Sequence, residues 1–118
     1  MTWIPLTDEN ELRTVKEQSY KTPVMIFKHS TSCSTSAVSL DRLQRKWKED
    51  EVGTLKAYFL DLLRYRSVSN EVATLFGITH QSPQLLLIKD GIVTYQESHF
   101  GINYAELLSE LRNIKNQK

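Results

Sequence analysis

The chain has one cysteine in 118 residues. It therefore cannot close an intramolecular disulfide, nor build from its own thiolates a zinc site of several cysteines. Glycine and proline are also scarce, at four and three, and no linker, internal repeat or low-complexity tract interrupts the chain. Neither sign of charge is in excess. Fifteen Lys and Arg against fourteen Asp and Glu leave a net charge of +1, which gives no electrostatic footprint for nucleic acid or a membrane surface. No apolar run approaches the length of a membrane span. The opening residues, Met1-Thr2-Trp3-Ile4-Pro5-Leu6-Thr7, lack the basic patch and apolar run of a secretory signal. A reducing, cytoplasmic setting is expected for such a free thiol.

What is present suffices for a folded core. Hydrophobic residues make up 40% and charged residues 25%, ordinary for a soluble globular chain and compatible with one domain over residues 1–118 that needs no staple. The patterning alternates between helical and extended periods. Thr7 reads as an N-cap, with Asp8 and Glu9 in a first turn and Leu12 and Val15 on the apolar side of a helix running to about Tyr20. Pro23-Val24-Met25-Ile26-Phe27 is almost continuously apolar, which suits a strand buried on both faces. A hydroxyl-rich loop from His29 to Ser36 leads into a second helical stripe of Ala37, Leu40, Leu43 and Trp47. Lys56 to Leu62 reads as a strand, and Ser69 or Asn70 as the cap of a helix that ends at Gly77. Asp90-Gly91 between Leu85-Leu86-Leu87-Ile88 and Ile92-Val93-Thr94-Tyr95 predicts a hairpin. Asn103 and Glu106 form a capping box for a last amphipathic helix. With Trp3-Ile4 as a short edge strand, this order predicts an α/β fold. Its sheet would be mixed, with four or five strands, parallel in its first half, closed by the hairpin and covered by helices on both faces.

Open sheets of this kind place their sites beyond the carboxyl ends of the strands, and Cys33 lies there, just after the first buried strand. The thiolate is the nucleophile in disulfide exchange, and an ordinary thiol is only about 3% thiolate at pH 7. A helix N-terminus favours the charged form through its unpaired N–H groups and its dipole. Hydroxyls of Ser34, Thr35 and Ser36 can add hydrogen bonds, and His29, Lys28 and His80 are candidate cationic neighbours. A free cysteine is commonly a small buried hydrophobe, but the hydroxylic residues flanking Cys33 do not describe an apolar core position. Ser36 stands where a dithiol oxidoreductase carries its second cysteine. It can bond the Cys33 thiolate across one turn or bond its own backbone, and both readings stand. Arg64 and Arg66 follow the second strand at the same sheet edge, where they can hold the carboxylates of a small thiol or form a solvated basic loop. His29, His80 and His99 lack ligand spacing, so no metal is expected.

The segments Lys28-His29-Ser30-Thr31-Ser32-Cys33-Ser34-Thr35-Ser36-Ala37, Ser69-Asn70-Glu71-Val72-Ala73, Gly77-Ile78-Thr79-His80-Gln81-Ser82-Pro83-Gln84 and Ser98-His99-Phe100 resemble, in order and spacing, the monothiol bacilliredoxins of the thioredoxin superfamily. The resemblance covers most of the chain. It implies a thioredoxin-like fold with Pro83 as a cis-proline facing the cysteine, and a Ser82 backbone free to pair with a substrate chain. It also implies reduction of mixed disulfides between proteins and bacillithiol, a small thiol of many Firmicutes and some other bacteria, as part of oxidative-stress defence. On this reading Cys33 and Ser36 are catalytic. Ser34, Thr35, His80, Ser82 and Pro83 contact the substrate, and His29, Arg64 and Arg66 give electrostatic support. Bacillithiol is then the co-substrate thiol and S-bacillithiolated proteins are the partners, with the chain a monomer or weak dimer. One departure is Ser34, where many relatives carry proline, which loosens the helix start. Two other classes remain: a carrier sharing an iron–sulfur cluster between two chains and two small thiols, and a non-enzymatic stress-response binding module with an incidental cysteine.

Overall fold

The apolar run after Pro23 becomes the central strand. The structure is a computed structural model and describes residues 2–116. In it β2 (Val24–His29) lies between β3 (Lys56–Asp61) and β4 (Gln84–Lys89) in a five-stranded sheet, with β1 (Ile4–Pro5) and β5 (Ile92–Ser98) at the edges in the order β1-β3-β2-β4-β5. β2 runs parallel to β3, β3 parallel to β1, and β4 antiparallel to both β2 and β5. The parallel half and the closing hairpin are those expected from the order of the elements, and the sheet is mixed for that reason.

Side chains alternate across the sheet, so each central strand feeds two cores. Met25, Phe27, Leu85 and Leu87 pack with Leu43, Val52, Leu107 and Leu111, from α2 (Ser34–Lys46), α3 (Glu49–Val52) and α5 (Tyr104–Asn116). Val24, Ile26, Leu86 and Ile88 pack with Leu12, Val15, Val68 and Val72, from α1 (Glu11–Gln18) and α4 (Arg66–Phe76). Leu85, Leu86, Leu87 and Ile88 are each at most 1% exposed, and burying each such side chain contributes about 1.5–3 kcal/mol.

The turn signals are realised. Asp90 and Gly91 both adopt positive φ, 54° and 78°, as a two-residue hairpin turn matched to strand twist requires. The turn is docked on the end of α1, where the Asp90 N–H reaches the Ser19 carbonyl and the Gly91 N–H the Ser19 hydroxyl. Gly77 ends α4 in the left-handed region at φ 63°, and the Asn103 side chain accepts the Glu106 N–H at 2.8 Å at the start of α5.

Two helix starts differ from the sequence expectation, and one short helix is additional to it. α1 begins at Glu11 with Asn10 in the cap position, because Glu11 turns back to accept from the Thr7 N–H and hydroxyl and draws Thr7 out of the helix. α4 begins at Arg66 rather than after a cap at Ser69 or Asn70. Burial of Val68 beside Val72 extends the helix through Ser69 and Asn70, the residues that read as a cap. The short α3 was not foreseen, since four residues, Glu49–Val52, are too few to show a helical period.

Candidate active site

Every strand of the parallel half ends at one edge, and the β2–α2 turn opens there. The cysteine follows His29, the last residue of β2, by four positions, and it is the N-cap residue of α2 with extended backbone angles of φ −111° and ψ 118°. Its N–H bonds the Ser30 carbonyl and its carbonyl accepts the Ala37 N–H, so the loop is closed around the thiol. Cys33 is a partly exposed free thiol. The amides of the first turn of α2 have no intrahelical acceptor, and that turn carries no acidic side chain. Cys33 thus stands at the positive end of a helix of 13 residues. Ser34 is exposed and Thr35 partly exposed beside it.

Ser36 is wholly buried. Its hydroxyl accepts the Ser30 N–H at 3.1 Å and lies 2.7 Å from His29 Nδ1. Its hydrogen bonds thus pin the loop that carries the thiol to the end of β2, and neither goes to its own helix. Burial lowers the pKa of His29, a trend Asp61 opposes, so the neutral imidazole prevails at pH 7. His29 is then not the cationic neighbour that the sequence offered. It serves as a hydrogen-bonding anchor, with its ring 5.5 Å from that of Phe59.

Lys28 is a buried cation at this edge. It continues the Val24, Ile26 row toward the α1 and α4 layer, is fully buried, and holds Nζ 2.8 Å from Nδ1 of His80. Burial lowers its pKa from 10.5 to about 8, which still leaves it mainly protonated at pH 7. His80 is itself held below the ordinary histidine range by burial and then by the charges of Lys28 and Arg66. The Arg64 guanidinium lies 5.5 Å over the Tyr65 ring, and its backbone N–H bonds the Asp61 carboxylate.

The Ser82–Pro83 peptide bond is cis, the isomer that the resemblance implied. The loop leading to it is organised by Gln84, a residue the sequence reading did not single out. Gln84 Nε2 donates to the Thr79 carbonyl at 3.0 Å and its Oε1 accepts the Gln81 N–H. A polar side chain heading an otherwise apolar strand was the available signal. A second unforeseen link ties three parts of the site together. The His99 N–H bonds the Pro83 carbonyl at 3.1 Å, and the His99 carbonyl accepts the Ser39 hydroxyl of α2 at 2.9 Å. His99 adopts φ 54° in this position, next to Phe100, which is 63% exposed. The Ser82 hydroxyl is buried and has no hydrogen-bond partner among the described residues.

A cysteine at the head of the helix after the central strand, set at the same sheet edge as a cis-proline loop, defines a thiol redox protein of the thioredoxin fold. Solved structures agree. A candidate oxidoreductase with a thioredoxin fold superposes with a TM-score of 0.77 at 25% identity, over 91% of each chain. Thioredoxin from Trypanosoma brucei brucei gives 0.74 at 14% identity, over 98% of this chain and 93% of that one. Mitochondrial thioredoxin 3 from Saccharomyces cerevisiae gives 0.69 at 17%, over 94% of each. Within that class the chain belongs to the monothiol bacilliredoxin BrxC family, whose pattern it matches over residues 4–107.

Proposed function

We propose that this protein is a monothiol reductase that removes bacillithiol from protein cysteines. The observation that carries the reading is the occupancy of the position three residues after Cys33. A buried Ser36, fixed by His29 and Ser30, stands where a dithiol enzyme resolves its own intermediate. Exchange at Cys33 must then be completed by an external thiol. In the first step the Cys33 thiolate attacks the bacillithiol sulfur of a protein–bacillithiol disulfide. The S–S bond breaks, the protein leaves as a thiolate that takes up a proton, and a Cys33–bacillithiol disulfide forms. In the second step a thiolate from free bacillithiol or a partner reductase attacks the bacillithiol sulfur of that disulfide; a new disulfide forms between the attacking thiol and bacillithiol, and Cys33 leaves as its thiolate. No metal takes part, and a reducing cytoplasm supplies the second thiol.

Intact-mass measurement after mixing the reduced protein with bacillithiol disulfide, and separately with glutathione disulfide, tests the reading. The expected result is an adduct confined to Cys33 that forms much faster with bacillithiol disulfide. A bacillithiolated model protein that stays modified to the same extent with the wild type and with Cys33→Ser would refute it.

A further inference from the structure

Lys28 is a buried ammonium in an unusual position. It has no exposed surface, and its one hydrogen-bond partner among the described residues is the neutral imidazole of His80. An ammonium carries three donors, so two of them have no acceptor among the described residues. Among the described residues no carboxylate pairs with it either. A buried charge is normally paired, because taking it out of water uncompensated is costly. The surroundings add positive charge. Arg66 is the first residue of α4, whose Val68 and Val72 pack on the same sheet face as Ile26 and Lys28, and its charge adds to that of Lys28 in lowering the His80 pKa; the first turn of this helix of 11 residues holds no acid and no side-chain cap.

The contact with Lys28 also fixes the histidine. A protonated lysine donates to Nδ1, so the proton of the neutral imidazole must sit on Nε2. His80 is exposed, and its second nitrogen is thereby left as a donor, polarised from behind by the buried ammonium. We infer that His80 Nε2–H and the Arg66 guanidinium, backed by Lys28, form an anion subsite that takes a carboxylate of the small thiol exchanged at Cys33. This inference rests on the proposed exchange for the identity of the ligand, but not for the existence of the subsite. His80 and Arg66 contact the carboxylate, and Lys28 is a positioning residue that sets the tautomer and the local potential.

Two measurements test it. The first compares rates of adduct formation at Cys33 with glutathione disulfide, which carries carboxylates, and with 2-hydroxyethyl disulfide, which carries none. Arg66→Gln and Lys28→Met should each lower the ratio of the two rates about tenfold, the scale of one lost charge-assisted contact. An unchanged ratio overturns the subsite. The second uses the Cys33→Ser protein titrated with succinate and observed through the His80 ring by NMR. Expected are an Nε2–H tautomer before addition, a saturable shift on addition and a rise in the His80 pKa, all lost in Lys28→Met. No shift, or a shift indifferent to Lys28, overturns the inference. A wild type that reacts with neither disulfide would sink the proposed exchange, while the succinate titration would still decide the subsite.

Discussion

Replacing Lys28 by methionine should stabilise the protein, and by an amount that depends on pH in a defined way. The lysine is fully buried, and its pKa falls from 10.5 to about 8 on folding. Folding therefore disfavours the charged form, so the group destabilises the protein wherever the unfolded chain would keep it protonated. At about 1.4 kcal/mol per pH unit, the deficit is up to about 3 kcal/mol at pH 7. The sign is opposite to that of a lysine gaining a partner. The unfolded chain binds more protons between the two midpoints, so stability rises with pH from about 8 to 10.5 as the penalty is relieved. Methionine keeps the apolar stem and loses the charge, and apolar replacement of buried charges is commonly neutral or stabilising. Urea unfolding of both proteins at pH 7 and at pH 10 isolates the effect, because the other titrating groups cancel in the difference. The variant should be more stable by about 2–3 kcal/mol at pH 7, with the gap shrinking to about 1 kcal/mol at pH 10. A variant no more stable than wild type at pH 7, or a gap that stays constant between the two pH values, would refute the reasoning.

Ser36→Ala leaves the buried Ser30 N–H without its acceptor, and should cost about 1–3 kcal/mol in urea unfolding; an unchanged midpoint would show that water reaches the loop. Gly91→Ala forces a side chain into positive φ, and its Cβ would press on the Tyr20 hydroxyl. A loss of more than about 1 kcal/mol is expected, and an unshifted melting temperature would contradict the packing of the hairpin turn on α1. Asn103→Ala removes the cap of α5 and should lower stability by about 1 kcal/mol, read as a small drop in Tm.

The elements that could be read from the sequence are those whose local pattern and tertiary burial agree. The Leu85 to Ile88 run, the Asp90-Gly91 turn, the Gly77 stop and the Asn103–Glu106 box all speak through short-range rules, and each appears where expected. The start of α4 was hidden because Ser69 and Asn70 suit a cap and a helix interior alike, and only the burial of Val68 and Val72 decides between them. At the site, the position of Cys33 at the head of α2 was visible as a strand–loop–helix junction. The pairings around it were not. Lys28 with His80 spans 52 positions and Ser39 with His99 spans 60, distances at which no periodicity carries information. The charge states followed the same division, since burial, which no local pattern reports, is what lowers the pKa values of both His29 and Lys28.

The last two residues of β2 explain how one edge serves two purposes. Consecutive strand residues point to opposite faces. His29 therefore turns toward α2, where it holds Ser36 and with it the thiol-bearing loop. Lys28 turns to the α4 layer, where it charges the His80 side of the cis-proline loop. The nucleophile thus receives a neutral, hydrogen-bonded support on one face, while positive potential is stored on the other, away from direct pairing with the sulfur. An ion pair between Lys28 and Cys33 would hold the thiolate but blunt its attack, since nucleophilicity falls with basicity. Separation by the sheet avoids that conflict. It also makes the arrangement depend on register: β2 is fixed residue by residue against β3 and β4, with Lys28 opposite Leu60 and Gln84. A slip of one position would exchange the two faces and bring the cation to the thiol side. The apolar rows of Val24 and Ile26, and of Met25 and Phe27, hold that register by burial on both faces. The core that makes the fold is in this sense also what keeps the charge and the nucleophile apart.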